Sequence, residues 1–148
     1  MENKIEIKIL ADLKNVATIR VAISSFISNL PITVDDMVDI KTAVSEAVTN
    51  AIEHGYANKN IESFVNVNCY IKSDEEDKIK IEVIDNGVGI EDISLAMTPE
   101  YTTKADDEHA GMGFTIMESF MDEVIVDSKK DEGTKITLIK TLKSRKSL

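Results

Sequence analysis

The sequence contains only one cysteine, Cys69, so no disulfide can form within the chain. A lone cysteine is typical of proteins from a reducing cytosol. No apolar run approaches the roughly 18–20 residues that a membrane-spanning helix requires. The charged start, MENKIEIK, also lacks the apolar region of a signal peptide. We therefore expect a soluble, cytoplasmic protein.

Basic residues are also scarce, because 17 lysines and arginines stand against 27 aspartates and glutamates, for a formal net charge of −10. This charge would repel the phosphate backbone of a nucleic acid. The 148 residues are 43% hydrophobic and rich in aliphatic side chains, which favours one folded domain over a disordered chain. We expect a single domain over residues 1–148 that binds no nucleic acid, and composition indicates no activity beyond that.

Hydrophobic periodicity predicts three helices and five strands. The helices are expected to begin near Asp12, Thr33 and Phe114. In chain order, the predicted strands are Ile5–Leu10, Val65–Ile71, Ile79–Val83, Glu123–Val126 and Thr134–Ile139. This order separates the helices from the sheet, which favours an α+β two-layer sandwich with a mixed, mostly antiparallel sheet and the helices on one face.

Glu46 and Asn50 lie four residues apart in the second predicted helix, so both project from one side of it, away from the apolar stripe of Val44 and Val48. A carboxylate placed there can accept a proton from a nucleophile, and an amide oxygen is a suitable ligand for Mg²⁺. An ordinary solvated helix face is a sufficient explanation for Glu46 alone. It is a weaker explanation for Asn50, because asparagine is only a modest helix former.

The stretch Asp85-Asn86-Gly87-Val88-Gly89 directly follows a predicted strand. Its composition is typical of a turn. The second glycine, however, suggests that another group approaches the backbone closely. An acid at the end of a buried strand can also accept a hydrogen bond from an exocyclic amine, such as that of adenine.

Gly111-Met112-Gly113 opens the third predicted helix. The free amides and the positive end of a helix suit a phosphate group. The motif is weak by itself and is also compatible with a flexible hinge. It lacks the third glycine of the dinucleotide fingerprint and the Gly-Lys-Ser/Thr of a P-loop.

Taken together and in this order, the three motifs resemble the Bergerat-fold ATPases, a superfamily that includes histidine kinases, over about residues 33–138. The resemblance implies that Asn50 coordinates Mg²⁺, that Asp85 binds the adenine amine of ATP, and that residues 98–110 form a lid over the nucleotide. It also implies a larger set of residues around the base and the phosphates. This set comprises Gly87, Gly89, Thr103, Lys104, Gly111, Met112, Gly113 and Thr134.

The segments IKTAVSEAVTNAIEHGY and GMGFTIMESFMDEVIVDS are, more narrowly, similar to the anti-sigma serine kinases of spore-forming bacteria. This resemblance implies that Glu46 is the general base, activating a serine of an anti-anti-sigma protein for attack on the γ-phosphate. It implies that Arg20 contacts both a sporulation sigma factor, of the sigma F type, and the anti-anti-sigma protein. Residues 1–30 would be the dimer and partner-binding region of a homodimer.

Three alternatives remain at this point. A kinase that serves a general stress-response sigma factor would share the same chemistry. A binding module could hold the nucleotide without transferring phosphate. A dinucleotide-dependent oxidoreductase is disfavoured, because Gly111-Met112-Gly113 has no preceding strand and no acidic ribose partner at the expected spacing.

Overall fold

The computed structural model describes residues 2–55, 63–90 and 113–142, and these form one five-stranded sheet and three α-helices. The strands are β1 Glu2–Leu10, β2 Phe64–Ser73, β3 Asp77–Asp85, β4 Glu123–Lys129 and β5 Gly133–Leu142. The helices are α1 Val16–Ile27, α2 Val34–Asn50 and α3 Gly113–Phe120. A short 3₁₀ turn, Leu13–Asn15, precedes α1, and one π-helical turn, Ala51–Gly55, follows α2.

The strand order is β1-β2-β3-β5-β4, and every pairing between these described strands is antiparallel. The hairpins β2–β3 and β4–β5 join through the central pairing of β3 with β5. This pairing sets Asp85 opposite Thr134, and the β4–β5 hairpin sets Ser128 opposite the same threonine. The prediction of an α+β fold with a mostly antiparallel sheet is confirmed.

The hydrophobic core lies between the sheet and the helices. Alternate residues of the central strands are buried, as expected for a sheet with one covered face. The helices bury residues at three- and four-residue spacings in the same cluster. The helical members are Ile19, Ile23, Ile27, Ile40, Ala43, Val44, Ala47 and Val48, and the fully or almost fully buried strand members include Val65, Val67, Cys69, Ile79, Ile81, Val83 and Leu138.

The starts of the first two helices have local causes. The Asp12 carboxylate accepts a hydrogen bond from the Lys14 amide at 2.9 Å, which caps the 3₁₀ turn before α1. The Thr33 hydroxyl accepts one from the Asp36 amide at 3.0 Å, which caps α2. Asp35 and Asp36 also add negative charge to the first turn of α2, where the helix dipole favours it.

The end of α2 departs from regular α-helical geometry. The α-helix ends at Asn50, and the chain continues as the π-helical turn Ala51–Gly55. Ile52 in this turn is fully buried, and the turn packs against β3 and β5. A π-turn is rare and occurs often at functional sites, and here it begins immediately after a predicted metal ligand.

No helix within the described ranges has both the length and the apolar character needed to cross a bilayer.

Candidate functional site

The amide of Asn50 lies against the first residue of α3. A methyl group built on Gly113 would be 2.6 Å from Asn50 Nδ2 and 3.2 Å from its Oδ1. Only a residue without a side chain therefore allows the Asn50 amide to occupy this position. The structure brings together two predicted site residues that are 63 positions apart (113 − 50), and it gives Gly113 a clear steric role.

Glu46 lies one helical turn before Asn50 on α2 and is partly buried. The preceding residue, Ser45, connects this helix to α1. Its hydroxyl donates to the Lys41 carbonyl at 2.8 Å and accepts a hydrogen bond from Arg20 Nη1 at 3.3 Å. The guanidinium of Arg20, predicted to contact partners, is thus held next to the residue that precedes the predicted general base.

Asp85 ends β3 with a carboxylate that is only 5% exposed. Burial raises the pKa of Asp85 above its ordinary value, whereas hydrogen bonds from the backbone amides of Gly87 and Thr134 act in the opposite direction. The Gly87 amide donates to Oδ1 at 2.9 Å. The result is a buried hydrogen-bond acceptor in a fixed orientation, as adenine recognition by Asp85 would require.

The loop after β3 is packed against the β4–β5 turn. Gly89 has φ +72°, and an added methyl group would clash with the Lys129 carbonyl. The Asp131 amide also donates to the Val88 carbonyl at 2.6 Å. The close approach expected at Gly89 therefore exists, and in the described structure the approaching group is the backbone of Lys129. An additional approach by the base at Gly87 and Gly89 stays a prediction.

Thr134 is 8% exposed and lies next to Asp85 in the sheet. Its predecessor, Gly133, has φ +94°, and a methyl group there would clash with the Asp85 carbonyl. On the other side, Thr134 Oγ1 is 2.7 Å from Ser128 Oγ. Ser128, Thr134 and Asp85 thus form a polar row across β4, β5 and β3, on the face of the sheet that also carries the hydrophobic core.

Sequence reasoning missed Ser45 and Ser128. The strand alternation of Val124, Val126 and Ser128, with Thr134 just beyond a short turn, is a signal by which Ser128 could have been found. Nothing comparable marks Ser45, because its contact with Arg20 depends on how two helices pack.

The described site residues form two groups. Glu46, Asn50 and Gly113 belong to the helices, whereas Asp85, Gly87, Gly89 and Thr134 belong to the ends of β3 and β5 and the loop between β3 and α3. The π-turn after Asn50 connects the groups, since it packs against both β3 and β5. Four predicted residues, Thr103, Lys104, Gly111 and Met112, and the predicted lid at 98–110, lie outside the described residues.

The donor set near Asn50 fits Mg²⁺ better than a metal that needs a protein cage. Within residues 2–55, 63–90 and 113–142, no three His, Cys, Asp or Glu side chains gather to hold a metal ion. Mg²⁺ commonly takes one or two protein oxygens and completes its shell with phosphate and water. A single amide oxygen at Asn50 is compatible with this pattern.

Cys69 is part of the core. Its side chain is fully buried in β2, and burial raises the pKa of its thiol to about 12. A thiol with this pKa is a poor nucleophile at neutral pH, so Cys69 serves the fold as a small core residue.

A protein-family model described as a histidine kinase-like ATPase domain matches residues 9–140 of the chain. Among curated proteins, the anti-sigma F factor of Clostridium acetobutylicum is 51% identical over 140 residues, which cover 95% of this chain and 94% of the relative. The anti-sigma F factor of Clostridium novyi is 48% identical, with 96% of each chain covered. The chain therefore belongs to the histidine kinase-like ATPase family and, within it, to the anti-sigma F factors.

Solved structures show the same fold at lower sequence identity. A crystal structure of RsbU and RsbW domains from Mycobacterium tuberculosis has a TM-score of 0.67 at 22% identity, covering 97% of this chain and 33% of the other. The histidine kinase domain of a blue-light-activated kinase from Erythrobacter litoralis has a TM-score of 0.55 at 20% identity, covering 88% of this chain and 60% of the other. Membership of an ATPase-domain family implies that the chain binds ATP.

Proposed function

We propose that this protein is a cytoplasmic anti-sigma factor that is also an ATP- and Mg²⁺-dependent protein-serine kinase. It would bind and inhibit a sporulation sigma factor, and it would phosphorylate and so inactivate the anti-anti-sigma protein that opposes it. The observation that carries the proposal is the contact between Asn50 and Gly113, one helical turn from Glu46, in a member of the anti-sigma F factor family.

In the proposed reaction, the Glu46 carboxylate accepts the proton of the partner's serine hydroxyl as its oxygen attacks the γ-phosphorus of ATP. The bond from this phosphorus to the β–γ bridging oxygen breaks, and ADP leaves with the electron pair. Most of the work in phosphoryl transfer is positioning and charge neutralisation, so one base and a few oriented polar groups are sufficient. Glu46 is suited to this role because it projects from the same side of α2 as Asn50.

Bound Mg²⁺ would neutralise charge on the phosphates, and Asn50 is the residue that would hold it. Asp85 would accept a hydrogen bond from the adenine amine, which fixes the base at the end of β3. The N-terminus of α3 at Gly113 would direct its backbone amides at the phosphates. The helical group of the site would thus bind the phosphates and Mg²⁺, and the strand-end group would bind the base.

The position of Arg20 supports a shared surface for binding and catalysis. Its guanidinium donates to Ser45, the neighbour of Glu46, so a partner docked on Arg20 would be close to the general base. A sigma factor and the serine substrate would then compete for the same surface. Such competition explains how one small domain could inhibit one partner and modify the other.

Transfer of label from γ-³²P-ATP to a purified anti-anti-sigma protein tests the proposal directly. We expect labelled partner with the wild-type chain and Mg²⁺, no labelling with Asn50→Ala, and loss of labelling with retained ATP binding for Glu46→Ala, because Glu46 acts on the nucleophile. Absence of label on sporulation-type and stress-response-type partners would contradict kinase activity. Label on the stress-response partner alone would mean that the kinase serves a general stress-response sigma factor and not a sporulation sigma factor.

We also propose that the chain is a homodimer that pairs through the β1 edge of the sheet. Among the strands that the structure describes, β1 is the edge strand and pairs only with β2, and Ile5, Ile7 and Ile9 pack partly buried against the core. Edge strands with a free side are ready templates for pairing with a second chain. Light scattering should give twice the chain mass, and Ile7→Lys should shift it toward the monomer. A monomeric wild-type chain would contradict the dimer, and an unchanged dimer in Ile7→Lys would contradict the β1 edge as its interface.

A further inference from the structure

From the hydrogen bonds around Ser128 we infer that this residue is a positioning residue that sets the base specificity of the nucleotide site. It would do so by fixing the Thr134 hydroxyl as a hydrogen-bond acceptor. The inference rests on the proposed nucleotide function and adds a residue that contacts the base only through Thr134.

The Ser128 hydroxyl makes three polar contacts with residues from both sides of the site. It accepts a hydrogen bond from the Ile90 amide at 2.7 Å, which connects it to the loop after β3. It donates to the Gly133 carbonyl at 3.0 Å. It also lies 2.7 Å from Thr134 Oγ1, a distance at which one of the two hydroxyls must donate to the other.

The count of hydrogens decides which hydroxyl donates. A serine hydroxyl has one hydrogen and two lone pairs. If Ser128 donates its hydrogen to the Gly133 carbonyl, its two lone pairs accept hydrogen bonds from the Ile90 amide and the Thr134 hydroxyl. Its one donor and both of its acceptor positions are then satisfied. If it gave that hydrogen to Thr134 instead, its oxygen would face the Gly133 carbonyl oxygen at 3.0 Å without a hydrogen between them. The first arrangement is therefore favoured.

In this arrangement the Thr134 hydroxyl donates its one hydrogen to Ser128. Its oxygen can then only accept hydrogen bonds from a ligand. The adjacent Asp85 carboxylate is also an acceptor when ionised, so this end of the sheet offers two acceptors side by side. An exocyclic amine, as in adenine, supplies the hydrogens that such a pair needs. A carbonyl oxygen at the same position, as in guanine, would meet acceptors only.

Replacing Ser128 with alanine would release the Thr134 hydrogen, which could then turn toward a guanine carbonyl. Such specificity arises because the wrong ligand leaves polar groups of the site without hydrogen-bond partners, which weakens its binding. The change should lower the preference for adenine more than it lowers nucleotide affinity in general. A purely structural serine would behave differently, since its loss would weaken the binding of both nucleotides alike.

Titration calorimetry of the full chain with Mg-ATP and Mg-GTP tests the inference. We expect the wild type to prefer ATP and Ser128→Ala to reduce the ATP:GTP affinity ratio roughly tenfold, the effect of about one hydrogen bond. Ser128→Thr keeps the hydroxyl and should retain the ratio. Ser119→Ala, which removes an exposed hydroxyl that donates to the Thr115 carbonyl on α3, should leave the ratio unchanged. Thr134→Val is the second test if Ser128→Ala does not fold, and it should also reduce the ratio.

The outcomes separate this inference from the proposed function. A wild-type chain that binds neither nucleotide would contradict the proposed function, and the inference with it. A wild type that binds ATP without preference over GTP would overturn the inference alone. An unchanged ratio in Ser128→Ala, or in Thr134→Val where that variant is used, would also overturn it.

Discussion

The contact between Gly113 and Asn50 makes a substitution at this glycine a test of metal and phosphate binding without a change to any ligand. In Gly113→Ala the new methyl group would displace the Asn50 amide, which it would otherwise approach to 2.6 Å. Gly113 is the first residue of α3, where the preference of helix interiors for alanine over glycine applies only weakly, so the fold should be little affected. We expect Mg-ATP affinity to fall by about tenfold, the loss of roughly one ligand interaction.

Calorimetry with ATP, with and without Mg²⁺, measures this effect, and thermal unfolding measures stability. Ser119→Ala is a suitable control in the same helix, because this serine is exposed. Mg-ATP affinity at the wild-type level in Gly113→Ala would mean that the position of the Asn50 amide does not matter for the nucleotide.

Asp85 illustrates a conflict between stability and function in a single side chain. Burial raises its pKa in the folded protein, so the folded state holds the proton to a higher pH than the unfolded chain. Its contribution to stability is therefore complete below the unfolded pKa and is lost as pH rises through the folded pKa. Asp85→Asn cannot ionise, and its amide oxygen can still accept the Gly87 hydrogen bond, although its NH2 group cannot accept the second bond that the Thr134 amide gives to the carboxylate.

We therefore expect Asp85→Asn to be more stable than the wild type at pH 7, with the difference shrinking as pH falls toward about 4, the ordinary range of an aspartate. Urea unfolding at several pH values measures this difference. ATP affinity should fall in the same variant, since the buried acceptor is weakened. A stability difference that grows toward low pH would mean that hydrogen bonds to the carboxylate outweigh its burial.

At the scale of elements, Lys140 links α3 to the sheet. This residue of β5 faces the helices with a side chain that is 13% exposed. Its Nζ donates to the Phe120 carbonyl at the end of α3 at 2.7 Å and lies 3.7 Å from the Asp39 carboxylate of α2. A cation at a helix C-terminus is favoured by the helix dipole. One ammonium group thus connects β5 to both helices of the candidate site.

Lys140→Met keeps most of the apolar stem but leaves the Phe120 carbonyl and Asp39 without their shared cation. We expect a loss of about 1–3 kcal/mol in the free energy of unfolding, because partly buried polar groups lose a charged partner. Urea denaturation measures it, and Lys78→Met on the exposed side of β3 is the matched control. Equal stability of the two variants would show that Lys140 does not hold α3 in place.

Local patterns predict the elements of this fold well, but they do not predict contacts between elements. Alternation in β2 and β3 marks the buried face, because each strand has one covered side, and Thr33 marks the start of α2 by its own hydrogen bond. The contact of Arg20 with Ser45 depends on how α1 and α2 cross. The π-turn after Asn50 likewise depends on the burial of Ile52 against the sheet, which helical periodicity does not show.

The order of the motifs predicts which residues belong to the candidate site, but it does not predict which contacts they make. The motif predicts a phosphate contact for Gly113, whereas the structure shows that a side chain there would clash with the amide of Asn50. The motif predicts that Gly89 admits the base, whereas the described group closest to it is the backbone of Lys129. Such reasons become visible only when segments far apart in the chain are in contact, so a glycine in a sequence indicates a close approach without naming the approaching group.

At the scale of the whole molecule, the net charge of −10 opposes a ligand that is itself an anion. The charge around the site does not reduce this repulsion, because α2 and its π-turn contain five acidic residues and one lysine. The acidic residues are Asp35, Asp36, Asp39, Glu46 and Glu53, and the lysine is Lys41. Mg²⁺ and the amides at the start of α3 would neutralise the phosphates only at contact. Before contact, an approaching nucleotide experiences mainly repulsion.

This repulsion gives a prediction about binding kinetics. Added salt screens charges beyond a Debye length of about 10 Å at 0.1 M, so it should weaken the long-range repulsion while leaving contacts in the site largely intact. We expect the association rate constant of Mg-ATP to rise severalfold between low and physiological ionic strength. At a site surrounded by basic residues, the rate constant would instead fall as salt is added. Stopped-flow fluorescence with a labelled ATP analogue measures the rate, and uncharged adenosine should show no salt dependence. A rate that falls with salt would mean that local cations near the phosphates outweigh the acidic surface as the nucleotide approaches.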